Sequence, residues 1–144
     1  MGNKNGKGVP KSAVSRKTTK DARSVPQQEH RRPVWRFSSV DHGGPFPWPV
    51  NTQVELDILQ KLRHFDAMVW GEIEGTDHHA IDVAKLSPEA KARLQEIRQD
   101  DISEVFSFHF SGKRRIVGVR AQGVVRLLWW DPEHKVCPSK KKHT

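Results

Sequence analysis

The feature that most narrows the folds open to this chain is the run Phe106-Ser107-Phe108-His109-Phe110, in which aromatic and polar side chains alternate. A period of two places successive side chains on opposite sides of a strand, so the run reads as a half-buried strand and not as a helix. Turn residues separate it from two further runs of strand composition. Ser111-Gly112-Lys113-Arg114 supplies one hairpin and Ala121-Gln122-Gly123 another, which predicts an antiparallel meander with strands at 105–111, 114–120 and 124–131.

The turns also set an expected register. A two-residue loop with Gly112 first pairs Phe110 with Arg115, Phe108 with Val117 and Phe106 with Val119. A three-residue loop at 121–123 pairs Arg120 with Val124 and Val119 with Val125. The three Phe then share a core face with Leu127 and Trp129, while His109, Arg114, Arg120, Arg126 and Trp130 collect on the other. Arginine forks match phosphate oxygens, and Trp130 offers a stacking surface for a base. The plainer reading is a solvated face on which each Arg covers its apolar neighbours.

Two helices precede the meander. Thr52-Gln53-Val54-Glu55 fits a capping box, and Val54, Ile58, Leu59, Leu62 and Phe65 then recur at spacings that share one helical face, with Gly71 as the expected stop. Ser87-Pro88-Glu89 opens the second helix, with Ala90, Leu94 and Ile97 as its apolar stripe. Val34 to Ser38 reads as a leading strand. The expected fold is therefore α+β: two helices packed on a small antiparallel meander sheet, over residues 33–137.

Charge divides the chain in the same places. Of the net +8, residues 1–32 carry +7 and residues 138–144 carry +3, leaving −2 on the 105 residues between. The first segment is expected to be a disordered basic tail and the last a basic C-terminal tail, because so few apolar residues cannot offset the entropy of ordering. The lone Cys137 forms no intramolecular disulfide, no secretory leader opens the chain, and no apolar run reaches the roughly 18 residues of a membrane span. A cytoplasmic protein with no membrane partner is expected.

The helix pair, the meander and the run Gly112-Lys113-Arg114-Arg115-Ile116-Val117-Gly118-Val119-Arg120 resemble the RelE/ParE toxin superfamily. The segment from Val125 through Asp131-Pro132-Glu133-His134-Lys135-Val136 is similar to the next strand and His-bearing segment of HigB-like members. The resemblance spans about Val54 to Pro138. It implies a type II toxin–antitoxin endoribonuclease that cuts mRNA, usually on the ribosome, by directing a ribose 2′-hydroxyl at the adjacent phosphate with no metal or other cofactor. Its partners are then a cognate antitoxin protein and mRNA.

On that resemblance Arg120 holds the scissile phosphate and His134 moves a proton, as the catalytic pair. The expected RNA-binding set is Lys113, which matches a basic family position, Lys135 beside His134, and Arg114, Arg126, His109 and Trp130 from the expected open face; Arg115 also matches a basic family position but faces the core in the expected register. The chain has no Tyr, unlike members that use a C-terminal one. An imidazole near its ordinary pKa suits proton transfer at the 2′-hydroxyl, and arginine suits the charge that builds on phosphate oxygens. His78, His79 and His143 do not have recognised zinc spacing. The alternative reading is a noncatalytic RNA- or protein-binding member of the same fold, ParE-like in its choice of a protein target.

Overall fold

The computed structural model describes residues 29–138. Most of the basic N-terminal tail and all of the C-terminal tail beyond Pro138 lie outside the described residues.

Both capping signals start helices where the sequence places them. The Thr52 hydroxyl accepts the Glu55 backbone N–H at 3.3 Å, and α1 spans Gln53–Asp66. The Glu55 carboxylate departs from a reciprocal box: it accepts the Asn51 N–H at 2.8 Å and the Trp48 indole N–H at 3.0 Å. The Glu55 side chain thus ties the preceding loop, through Trp48 and Asn51, to the first turn of the helix. Helix α1 ends at Ala67, earlier than Gly71, which falls inside the one-turn helix α2, Trp70–Ile73. Ser87 accepts the Ala90 N–H at 3.2 Å, and Pro88 occupies the first turn of α3, Pro88–Glu96.

Five strands complete an α+β domain: β1 Val34–Arg36, β2 His78–Asp82, β3 Glu104–Ser111, β4 Arg114–Ala121 and β5 Val124–Asp131. Their order across the sheet is β1-β5-β4-β3-β2, with β1 parallel to β5 and the other neighbours antiparallel. The meander is therefore the centre of a mixed sheet. Its three strands lie within a residue of their expected bounds.

Register is where structure and expectation part. The first hairpin has the expected two-residue loop, Gly112-Lys113, closed by Ser111 opposite Arg114. A bulge then leaves Phe110 without an opposite residue, so Phe108 faces Ile116 and Phe106 faces Gly118. The second loop is Gln122-Gly123, one residue shorter than expected, and pairs Ala121 with Val124 and Arg120 with Val125. A second bulge at Leu128 puts Trp129 opposite Val117. Each one-residue slip exchanges the two faces of a strand.

As a result both faces of the sheet are buried, and the helices lie on opposite sides of it. Phe106, Phe108, Ile116, Leu127 and Trp130 pack with Ile58, Leu62 and Phe65 of α1 and with Trp70 of α2. Val105, Val117, Val119, Leu128 and Trp129 pack with Ala90 and Leu94 of α3, with Phe46 and with Val136. The placement of both helices against one side of the meander is corrected accordingly. Trp129 is core as expected, and Trp130 is core too, 8 % exposed with its ring 5.1 Å from Phe110.

Gly118 registers the second bulge directly. A Cβ there would stand 2.8 Å from the Arg126 carbonyl oxygen and 2.8 Å from a Val125 methyl, closer than such contacts occur. Gly118→Ala is expected to lower stability by about 1–3 kcal/mol, the usual cost of overpacking a core. Urea unfolding reads this, and a midpoint equal to the parent's would show that the β4–β5 spacing is wider than described.

Candidate functional site

Strand pairing assembles a polar row at one end of the face that α3 covers. His79 of β2 lies opposite Ser107 of β3, and His109 of β3 lies opposite Arg115 of β4, which in turn lies opposite Asp131 of β5. After β5 the chain turns and carries His134 and Cys137 back alongside this row. The result is a cavity of about 530 Å³ whose lining includes the bases His79, His109, His134, Arg115 and Lys85, the carboxylates Asp77 and Asp82, and Ser107 and Cys137.

Hydrogen bonds set the state of each imidazole. His109 Nε2 lies 3.1 Å from the Gly112 carbonyl oxygen, which only accepts, so in the neutral ring Nε2 carries the hydrogen and Nδ1 is bare. His79 is the reverse: Nδ1 lies 3.1 Å from the Ala80 carbonyl oxygen, leaving Nε2 bare. Burial and the Arg115 charge push the His134 pKa below its ordinary value, against an opposing pull from Asp131. His134 is thus a neutral base at neutral pH. Burial raises the Cys137 pKa and Asp131 adds to the rise, which keeps a thiol that points at the Lys85 carbonyl oxygen, 3.4 Å away.

His78 stands behind the site. Its ring packs against Phe65 with centroids 4.8 Å apart, and its Nδ1 accepts the His109 backbone N–H at 3.0 Å. Desolvation lowers its pKa, consistent with a neutral ring whose bare Nδ1 is occupied in holding β3.

The residues expected on a single RNA-binding face are divided by the two bulges. His109 and His134 meet in the cavity, and Arg115, which the expected register turned toward the core, joins them. Arg120 lies on the α1 side of the sheet: its guanidinium stacks 3.8 Å from the Trp70 ring and donates to Glu74 at 2.9 Å. Arg126 is on the α3 side, donating to Gln99 at 3.2 Å. Trp130 is in the core, so it offers no open stacking surface. Lys113 pairs with Glu133 at 3.0 Å and Arg114 donates to Ser111 at 2.6 Å, both at the hairpin tip, while Lys135 is exposed beside His134.

Sequence reasoning missed His79, Lys85 and Ser107 as lining residues. Only the pairing of His79 with Ser107 brings them to one place, and segment 75–80 carried a loop composition with no register to read. It also missed an ion pair on the same side of the sheet, around the buried carboxylate of Asp41. Asp41, 6 % exposed, accepts two bonds from Arg93 at 2.7 and 2.8 Å, one from the Trp129 indole at 2.9 Å and one from the Gly43 N–H at 3.1 Å.

Among the described residues, no three His, Cys, Asp or Glu side chains are grouped to hold a metal ion, and no helix is long and apolar enough to cross a membrane. Comparison with known protein families, with curated proteins and with solved structures finds no match.

Proposed function

We propose that this chain is an endoribonuclease that cleaves single-stranded RNA through its own ribose 2′-hydroxyl, without a metal. The observation that carries the reading is the convergence of three imidazoles with Arg115 and Lys85 on one cavity. Neutral His134 takes the proton of the 2′-hydroxyl, whose oxygen attacks the adjacent phosphorus. His109, its Nε2 held by the Gly112 carbonyl, is the general acid that hands a proton from Nδ1 to the departing 5′-oxygen as the P–O5′ bond breaks. Arg115 and Lys85 balance the charge that gathers on the phosphate oxygens, and His79 contacts the same phosphate. The products are a 2′,3′-cyclic phosphate and a 5′-hydroxyl.

Its biological form in this proposal is a RelE/ParE-like, HigB-like cytoplasmic toxin, with mRNA as target, the ribosome as a possible platform and an antitoxin as the restraining partner. Arg120 drops from the reacting centre to a packing role in this version, while Lys113 and Arg114 at the hairpin tip and Lys135 beside His134 guide the RNA backbone. The test uses purified chain in a chelating buffer with a synthetic RNA and a copy bearing a single 2′-deoxyribose at the cleaved step. Cleavage of the first alone, with cyclic phosphate ends, is the expected result. Cutting of the deoxy-substituted copy at the same step overturns the mechanism.

One observation favours the second reading, a noncatalytic binding protein. Arg120, the residue that the family resemblance makes central, is engaged by Glu74 and Trp70. RNA binding without cleavage, with or without ribosomes, supports that reading.

A further inference from the structure

The turn that carries His134 hangs on one buried carboxylate. Asp131 ends β5 and is 2 % exposed; one of its oxygens accepts the Lys135 N–H at 2.8 Å and the other the Val136 N–H at 2.9 Å. His134 itself sits at φ 59°, a left-handed conformation that costs a non-glycine residue on the order of 1 kcal/mol and persists only where its surroundings impose it. The next anchor is Val136, which is buried and accepts the Ser87 N–H at 2.8 Å through its carbonyl. Asp131, Arg115, His134 and Cys137 also line a narrow recess at the inner end of the cavity.

We propose that Asp131 is the positioning residue of this site: by gripping both amides that follow His134, it sets the place of that imidazole, and it presents negative charge to the ring. The inference rests on the reading of His134 as the base. Its bland competitor is that Asp131 only pins the C-terminal segment to the core. The titratable groups that share a cavity wall with the imidazole are Arg115 from β4, Asp131 from β5, His109 from β3, His79 and Asp82 from β2, Asp77 just before β2, Lys85 from the short 3₁₀ turn Val83–Lys85, and Cys137. Of these, Asp131 is the carboxylate that favours the charged ring.

Asp131→Asn in the full chain separates the two roles. The amide keeps one acceptor oxygen but turns an NH₂ toward the second backbone N–H, and it removes the charge. The His134 ring signal, followed by NMR over a pH titration without RNA, is expected to move and to titrate at lower pH than in the parent. Cleavage is expected to lose kcat by about 10²-fold, the scale of a misplaced catalytic group, with KM little changed. A lower melting temperature with an unmoved His134 titration assigns Asp131 to anchoring alone and overturns the proposal. Should the variant not fold, hydrogen exchange in the parent decides: the Lys135 and Val136 amides must be protected, and exchange at free-peptide rates overturns the grip. If the parent cleaves no RNA, the ribonuclease reading fails separately, and the His134 titration still decides the role of Asp131.

Discussion

His134→Ala and His109→Ala are each expected to reduce RNA cleavage by about 10²–10³-fold, within the range that a positioned acid or base contributes, while the domain stays folded. Neither ring supports the core. His134 lies on a surface turn, and His109 is half-buried at the edge of the cavity with its side chain bonded only to the Gly112 carbonyl. Arg115→Ala should lower the rate as well and weaken the salt dependence of binding, because its charge is shared between phosphate positioning and the transition state. Arg120→Ala is the contrasting variant: it removes the cation over Trp70 and the Glu74 pair, so its expected effect is on melting and not on rate. The pH profile carries a second signature. Because the His134 pKa is depressed below 6.5, its acid limb should fall below pH 6.5, with cleavage rising as pH increases through that folded-state value. Undiminished cleavage by both folded histidine variants rejects this site.

Asp41→Ala is expected to destabilise the domain by about 1–3 kcal/mol, because the Arg93 guanidinium loses two charge-assisted hydrogen bonds and keeps only its more exposed partner Glu96, 2.9 Å away. The indole of buried Trp129 loses its acceptor at the same time. Against the roughly 5–15 kcal/mol by which native domains exceed their unfolded states, that loss is a large fraction. The pH behaviour follows from the direction of the Asp41 shift. Burial raises its pKa, but the Arg93, Trp129 and Gly43 hydrogen bonds outweigh it, and the net shift is downward from 3.8. A carboxylate with a depressed folded-state pKa stabilises the protein above the unfolded value, and that contribution is lost as pH falls through the folded value. The parent should therefore weaken toward acid below about pH 4 more than Asp41→Ala does. Urea titrations of both proteins at pH 7 and pH 3 measure this; equal pH sensitivity would show that the pair makes no net contribution.

Local signals were legible where a few neighbouring residues decide the outcome. Thr52 and Ser87 satisfy backbone N–H groups within three residues of themselves, so both helix starts were readable, as were the apolar stripes of α1 and α3. The alternation at 106–110 and the turn residues around Gly112 and Gln122 located the three long strands to within a residue. His134 was named on the family resemblance and His109 on its place in the expected strand, and both line the cavity.

Residue pattern was thus enough for the starts of α1 and α3, the three long strands and an α+β class, while the edge strand β2, the one-turn α2 and the faces of the sheet depended on packing. The bulges at Phe110 and Leu128 are invisible in composition, because they are chosen by how Trp129, Trp130 and Phe110 pack against elements distant in the chain. Each bulge shifts a period-two pattern by one, and that single step sent Arg120 to Trp70, buried Trp130 and turned Arg115 into the cavity beside His134. A strand's alternation specifies that it has two faces; only the volume and hydrogen bonding of what lies on either side specify which is which.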